Sequence, residues 1–539
     1  MAAFGFTRAR LAGLALAAMV AGGNAAASVD LPLHHWVYDD LERLAALGAI
    51  RGAMISAKPF SRKQAARYAA RALDPAAAAR LGSLGFLLER LARELRPELV
   101  ELGALAAREG ETRARLRYGA RVQVGLASSS LDAGGSVRAR ENSEGEYFTD
   151  GAHGEVDLRG WAEFGDGAAL TLRPKYTSDP HQLGVAPTDN SARTTLREAD
   201  LKLTWGNLSV HLGRGSQWWG AGHRGTLLLS DNAFPLERLR VGSEEPFRLP
   251  GILARLGEWK IDSFLGVFER EREFPRARLF GLRVSYVPTE WMEAGLTRLT
   301  QFAGPALGQS FPAIVWKTYI SHPNKPGADE VNEQVMLDLR VRIPRTPYLV
   351  PFPGGMQLYG ELGSEDRWAS PRPTRAAYLL GLYLPQVVAG DSTDLRIEYA
   401  DTDITRRGSG FSSVWYNNGT YSSGMRHYGI PLGHSMGTDA TDFYLRAGRH
   451  LSADLQVGIA FDRTARGRWQ PAPETKHEFG LDLKWSTSQK AQLQAGYTLQ
   501  RVRNPIQIVN VNPVFAVSST AAGPAVTSHF LWSNLTFQF

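Results

Sequence analysis

The chain has no cysteine among its 539 residues. That absence excludes a disulfide scaffold, a cysteine-ligated zinc site, an iron–sulfur cluster and a cysteine nucleophile. Beyond the N-terminal leader it also lacks any apolar run of the ~18 residues that a transmembrane helix needs, so a helical inner-membrane bundle is excluded. Lysine is scarce: 10 of the 61 basic residues are Lys and 51 are Arg. No tract interleaves basic and aromatic residues in the manner of a nucleic-acid groove, so no nucleic-acid partner is expected. What the chain has is glycine (55), proline (29) and aromatics (13 Trp, 17 Tyr, 23 Phe), which suit many strands joined by turns. Its formal charge is +7. The arginine excess has two readings: a codon-biased composition, or bidentate contact with a partner that carries carboxylates or phosphates.

Residues 1–27 read as a secretory signal peptide. Arg8 and Arg10 give a positive start, Leu11–Val20 a short apolar core, and Ala25-Ala26-Ala27 a small-residue cleavage site. Residues 28–112 read as a small helical periplasmic domain. Val37, Leu41, Leu44 and Ala45 share one helical face ahead of Gly48. Ser61 and Gln64 form a candidate capping box, Asp74-Pro75 opens another helix, and Leu81, Leu84, Leu88, Leu91 and Leu95 follow one face up to Pro97. The core of this unit is thin and Ala-rich, so it is expected to pack against something larger.

From residue 113 the period becomes two. Leu116, Tyr118, Ala120, Val122 and Val124 alternate with Arg117, Gly119, Arg121 and Gln123. The pattern recurs at Leu455–Phe461, Phe479–Trp485 and Leu493–Leu499. Such segments number about 18, from 115–127 to 527–539, with 251–257 taken as the sixth and 214–250 as a loop. Many have the ~9–11 residues that cross a bilayer at a tilt. Connections alternate long and short, the parity of short periplasmic turns and longer outer loops. The last strand ends on Phe539, with Leu531, Leu535 and Phe537 on the same face. The expected fold is mainly β: a transmembrane antiparallel β-barrel over 113–539, preceded by the helical domain.

A barrel of this size is too wide for its wall side chains to fill, so it holds a channel or a plug. Alternation places Arg115, Arg117, Arg121, Asp157, Arg159, Glu163, Arg173, Lys175, Arg340, Arg342, Arg396, Glu398, Arg446 and Asp482 on the lumen face. They form either a mutually paired polar lining or a path for an acidic polymer. The loops carry Trp218, Trp219, Asp231 and Asn232, and further on Trp415, Tyr416, Tyr421 and Tyr428. Exposed aromatics beside amides could seat sugar rings; the alternative is loop packing or an interfacial belt. With Arg117, Arg121, Arg340 and Arg342 these eight are the candidate polysaccharide-binding residues.

Two catalytic motifs match only on paper. Gly433-His434-Ser435-Met436-Gly437 fits G-x-S-x-G, but a Gly-rich loop precedes it and a strand follows, the wrong context for a nucleophile elbow. Gly220-Ala221-Gly222-His223-Arg224-Gly225 fits G-x-G-x-x-G, yet Thr226–Leu229 reads extended where a dinucleotide site needs a helix. His34-His35 and the other histidines show no metal-ligand spacing. No catalytic residue, metal or cofactor is expected.

The whole mature chain resembles the capsule-assembly Wzi family of outer-membrane proteins. The resemblance rests on His35-Trp36-Val37-Tyr38 through Leu47-Gly48, on Pro59-Phe60-Ser61-Arg62, on Trp219-Gly220 through Ser230-Asp231-Asn232-Ala233-Phe234-Pro235, and on Glu245-Pro246-Phe247. It implies a barrel of about 18 strands with a periplasmic helical bundle, and a lectin-like, non-enzymatic role in retaining surface polysaccharide. Residues 34–73 also resemble a single S-layer homology repeat, which keeps a wall-tethered porin for sugars or anions as the alternative. The expected partners are capsular polysaccharide or exopolysaccharide and outer-membrane lipid, with peptidoglycan or the polysaccharide-export machinery on the periplasmic side.

Overall fold

The computed structural model describes residues 27–108, 116–131, 138–148, 150–178, 194–315, 330–346, 348, 350–365, 376–404, 415–467, 472–488, 490–504 and 525–539. Residues 1–26 of the expected signal peptide, and Arg115, lie outside the described residues.

Helices come first. Helix α1 (Val37–Ala46) ends at Gly48, which sits at φ +75° and lets the backbone close the last turn. Helix α2 (Arg62–Ala72) is capped by Ser61, whose Oγ accepts the Gln64 N–H at 3.2 Å. The Gln64 side chain does not complete a capping box; it bonds Tyr68 and Lys260 instead. Asp74 caps the short α3 (Pro75–Ala78). The leucine stripe forms α4 (Gly85–Glu94), and Pro97 lies in the first turn of α5 (Arg96–Glu101). Val37, Leu41, Leu44, Leu84, Leu91 and Leu99 close the core between them.

Eighteen strands then follow in one antiparallel meander, β1 (Leu116–Leu131), β2 (Gly151–Phe164), β3 (Ala168–Thr177), β4 (Thr194–Trp205), β5 (Leu208–Arg214) and β6 (Glu237–Ser243, resuming at Phe247–Arg248). Next come β7 (Glu258–Val267), β8 (Arg278–Thr289), β9 (Met292–Phe302), β10 (Asn332–Ile343), β11 (Met356–Glu365) and β12 (Ala377–Leu384). The meander ends with β13 (Asp394–Asp401), β14 (Ala440–His450), β15 (Leu455–Arg466), β16 (Glu474–Ser488), β17 (Ala491–Arg503) and β18 (Val526–Gln538). Strand β18 pairs with β1, closing the barrel and removing both sheet edges. Phe539 adds a reciprocal backbone pair with Ala120 at 2.8 and 3.3 Å.

The strand total agrees with the alternation, but one strand was misplaced. Residues 251–257 are mostly a 3₁₀ turn (Gly251–Leu256), and the sixth strand lies at 237–248, inside the segment read as loop. Leu239 and Val241 alternate with Arg238 and Arg240 there, and the interruption after Ser243 hides the period. Leu126, Leu172, Leu212, Leu337, Leu380 and Phe479 are exposed on the outer wall, whereas the polar partners in each alternation point inward. That outward apolar band is the surface a bilayer requires.

Candidate functional site

The barrel's interior is where the chain concentrates its chemistry, and among the described residues at least four segments enter it, one of them residues 138–148, whose Glu144 and Gly145 N–H groups donate to the Asp231 and Asn232 carbonyls at 2.7 and 2.8 Å. The helical segment stoppers the short-turn end. Arg43 donates to the carbonyls of Pro385 (2.9 Å) and Ser392 (2.6 Å) in the β12–β13 turn, and the Gly52 N–H donates to Glu290 in the β8–β9 turn. Glu42 projects from α1 into the lumen and meets both Arg340 and Arg396, the latter at 3.1 Å. Burial pushes its carboxyl up in pKa, but the two guanidiniums outweigh that and hold it well below the usual range. Glu293 on β9 accepts the Ile55 and Ser56 N–H groups at 3.1 and 2.9 Å and faces Arg342 at 3.5 Å.

The second segment is the 215–236 connection, which folds into the lumen. Trp218 and Trp219 pair antiparallel with Lys58 and Ala57 of the N-terminal segment, so two distant pieces of chain share one small sheet. The G-x-G-x-x-G stretch does form a cradle of backbone N–H groups, of the kind that binds anions. Its anions are wall carboxylates: Glu361 accepts Gly222 (2.8 Å) and Leu227 (2.7 Å), and Glu398 accepts His223 and Arg224 (both 3.0 Å). The turn is so tight that a Cβ on Gly222 would lie 1.9 Å from the Gly225 carbonyl oxygen. Arg224 continues outward to Glu141 (2.5 Å) and Asp462 (3.0 Å), and Lys476 joins the same carboxylates.

The third segment, 415–439, closes over the second. The Tyr416 hydroxyl donates to the Leu227 carbonyl at 2.6 Å and accepts the His434 N–H at 2.8 Å. The Ser230 N–H donates to Leu432, its hydroxyl to Gly433, and the Asn232 amide to Pro431. Tyr428 and Gly429, both at positive φ, form the tip of the small hairpin Arg426–Pro431.

The sequence candidates therefore have a different setting from the one expected of exposed sugar platforms. Trp219, Trp415, Tyr416 and Tyr421 are fully buried, and Trp218, Asp231 and Asn232 nearly so. Trp219 packs on Phe264 with centroids 5.3 Å apart, and Trp415 lies against Gly363. Tyr421 donates to the Glu330 carbonyl. Of the eight, Tyr428 alone keeps a half-buried ring. The physical reason is depth: a wide lumen must be filled, and the loops richest in aromatics turn inward to fill it. Asp231 meets His34 at 2.5 Å, and that carboxylate raises the imidazole's pKa.

The arginines are paired for the most part. Arg117 contacts Glu98 (2.7 Å) and Glu163 (3.4 Å), Arg340 and Arg342 meet Glu42 and Glu293, Arg173 chelates Asp157 and Glu144, and Arg446 binds Asp482. Among the described residues Arg121 is the exception, half-buried and in contact with Gln123. Alternation had put Glu398 in the lumen but gave no reason to single out Glu42, Glu293 or Glu361. Their importance comes from N–H groups and guanidiniums brought in by remote segments, and no local pattern reports that. Ser435 lies in a turn with β14 after it, and His434, buried beside it, has its pKa pushed down to about 4.

A family model described as capsule assembly protein Wzi matches residues 122–512. Over 220 residues the chain is 24% identical to an uncharacterized 55.8 kDa protein in the cps region of Klebsiella pneumoniae; the match covers 40% of this chain and 41% of that protein. Among solved structures it is similar to Wzi from Escherichia coli, described as an outer membrane protein involved in group 1 capsule assembly and a carbohydrate-binding β-barrel. That likeness has a TM-score of 0.66 at 17% identity, and covers 94% of this chain and 99% of that one. At such identity it speaks for the fold.

Proposed function

The chain belongs to the capsule assembly protein Wzi family of outer-membrane β-barrels, and on that footing we propose that it binds exported capsular polysaccharide and organises it at the cell surface without chemically altering it. The observation that carries this over a diffusion porin is the filled lumen: helix α1, the 215–236 segment and the 415–439 segment occupy it and are bonded to its wall. In this reading the short-turn end faces the periplasm. The helical segment braces it and offers the face that peptidoglycan or export machinery would meet. The polymer meets the opposite end, where Tyr428 and, elsewhere on the 415–439 segment, Asn417 and Asn418 are half-buried rather than enclosed.

The test is genetic. Deleting the gene in the native organism is expected to move surface polysaccharide from the cell-bound to the medium fraction at unchanged total synthesis. An unchanged partition, together with slower uptake of small solutes, would overturn the reading in favour of a porin. Single-channel recording gives an independent check, because a plugged binder shows far less conductance than an open barrel of this size.

A further inference from the structure

The outer face of the barrel is uneven in charge at its long-loop end. Two outward arginines there have a carboxylate on the next strand: Arg214 meets Glu237 at 2.6 Å and Arg298 meets Glu333 at 2.7 Å. Strands β15 to β17 differ. Arg463 stands directly across from His477, and His477 across from Arg501, with Arg503 further out on β17. All four side chains are exposed, and alternation puts them on the same face as Ile459, Phe479 and Leu481 of the apolar band. Among the described residues none of the three guanidiniums has an ion pair or a hydrogen bond. No Asp or Glu occupies an outward position on β15 to β18, and the connections 467–473 and 504–525 contain none. Like charges set directly opposite each other destabilise a sheet, so this row carries a repulsion that an external anion would relieve. From Trp485 out to His477, β16 runs roughly 26 Å along its length, or about 20 Å once a barrel strand's tilt is allowed for. The row therefore stands at the outer margin of the lipid-facing band. Beneath Arg501 on the same face, the Tyr497 hydroxyl and His529 are bonded to each other at 2.7 Å.

We infer that this row is a docking surface for lipid A, the phosphorylated and multiply acylated glucosamine disaccharide of a Gram-negative outer leaflet. The inference goes beyond the polysaccharide reading and uses only the barrel's place in the outer membrane, with its long-loop end outward. The charge is complementary: a guanidinium takes a phosphate in a bidentate grip, and three of them stand here without a partner among the described residues. Arg463 and Arg501 are two strand spacings apart, roughly 10 Å. That spread suits a headgroup with a phosphate at each end of a disaccharide better than one with a single phosphate. Ile459, Phe479 and Leu481, exposed just below the row, supply the surface along which acyl chains lie. A second copy of this chain fits less well. A two-fold contact through the same face would set arginine against arginine, with no carboxylate on either side to answer them.

The experiment uses the full-length protein, delipidated by detergent exchange, with folding of each variant checked by heat-modifiable gel mobility. Bis-phosphorylated lipid A and phosphatidylglycerol are titrated separately, and bound lipid is counted by native mass spectrometry. The proteins are wild type, Arg463→Gln, Arg501→Gln, Arg503→Gln, the triple variant, and Arg255→Gln, which removes an exposed charge at the short-turn end. Lipid A is expected to bind wild type saturably and more tightly than phosphatidylglycerol. Each single substitution in the row should weaken it about fivefold and the triple about a hundredfold, the size of one and of several lost charge-assisted contacts. Arg255→Gln should bind as wild type does. Equal binding of lipid A by wild type and the triple variant would overturn the inference. So would equal affinity for the two lipids, or a loss in Arg255→Gln as large as in the row, since either reports unselective attraction of anions. Wild type that self-associates, beside a triple variant that is monomeric and keeps its lipid A, would also overturn it and assign the row to contact between copies.

Discussion

Glu42 offers the sharpest test of how the helical segment is held. Its carboxylate sits between two lumen guanidiniums, and the three groups are nearly or fully buried. Glu42→Ala leaves those cations unevenly compensated. Arg340 retains a 3.9 Å contact with Glu293, a bond to the Ala221 carbonyl and the Tyr359 ring face. Arg396 loses its carboxylate partner and keeps the Tyr359 hydroxyl and the Tyr383 ring, 4.1 Å away. Removing one member of a buried ion cluster typically costs about 3–5 kcal/mol, because the charge left behind is no longer solvated. Since Arg340 is partly rescued, the loss belongs at the lower end, roughly 3 kcal/mol. The relevant equilibrium is undocking of residues 37–46, so the assay is amide hydrogen exchange across α1 with trypsin cleavage as a second readout. About a hundredfold faster exchange is expected, with the strands unaffected. The combination Glu42→Leu, Arg340→Met, Arg396→Met should recover most of the protection, since apolar replacement of a whole buried cluster is often neutral or better. Unchanged exchange in Glu42→Ala would refute the argument, as would a triple variant no better than the single one. The pH dependence follows from the depressed pKa: the contribution is full above the unfolded value of about 4.5 and is lost only as pH falls through the lower folded value.

Other outcomes follow from neighbouring contacts. Glu361→Leu removes the acceptor of two buried N–H groups and should free residues 215–236 at a cost of about 2–6 kcal/mol, read as new protease cleavage there in a barrel that still migrates as folded. Tyr416→Phe strands the Leu227 carbonyl and the His434 N–H and should cost about 1–3 kcal/mol in urea unfolding while leaving polysaccharide affinity unchanged; a selective loss of affinity would restore that residue as a contact. Burial raises Asp40 to about 6, so Asp40→Asn should stabilise α1 at pH 7 and not at pH 4, as judged by its exchange rates. The His34–Asp231 pair titrates the opposite way. Its contribution is complete below the unfolded imidazole pKa of about 6.5 and fades as pH rises through the raised folded value, so melting of wild type and His34→Gln should converge at alkaline pH.

Strand alternation, turn parity and the aromatic terminus specified the barrel and its strand number, because a wall with lipid outside and water or plug inside imposes a period of two on every strand. Local caps specified the helices equally well: Ser61, Asp74 and Gly48 act within their own turns. The broken sixth strand escaped because the pattern is interrupted after the seven residues Glu237–Ser243 and resumes only at Phe247. The loop aromatics were found by composition, but which way a loop folds depends on the volume to be filled and on carboxylates such as Glu361, 134 residues from the Leu227 N–H it accepts. The same holds for Glu42, whose meaning depends on two arginines about 300 and 350 residues away. Sequence by itself determined the container, since its signals are periodic and local; only the tertiary structure decided what fills it, since that rests on long-range pairing between charges and backbone groups that no short window contains.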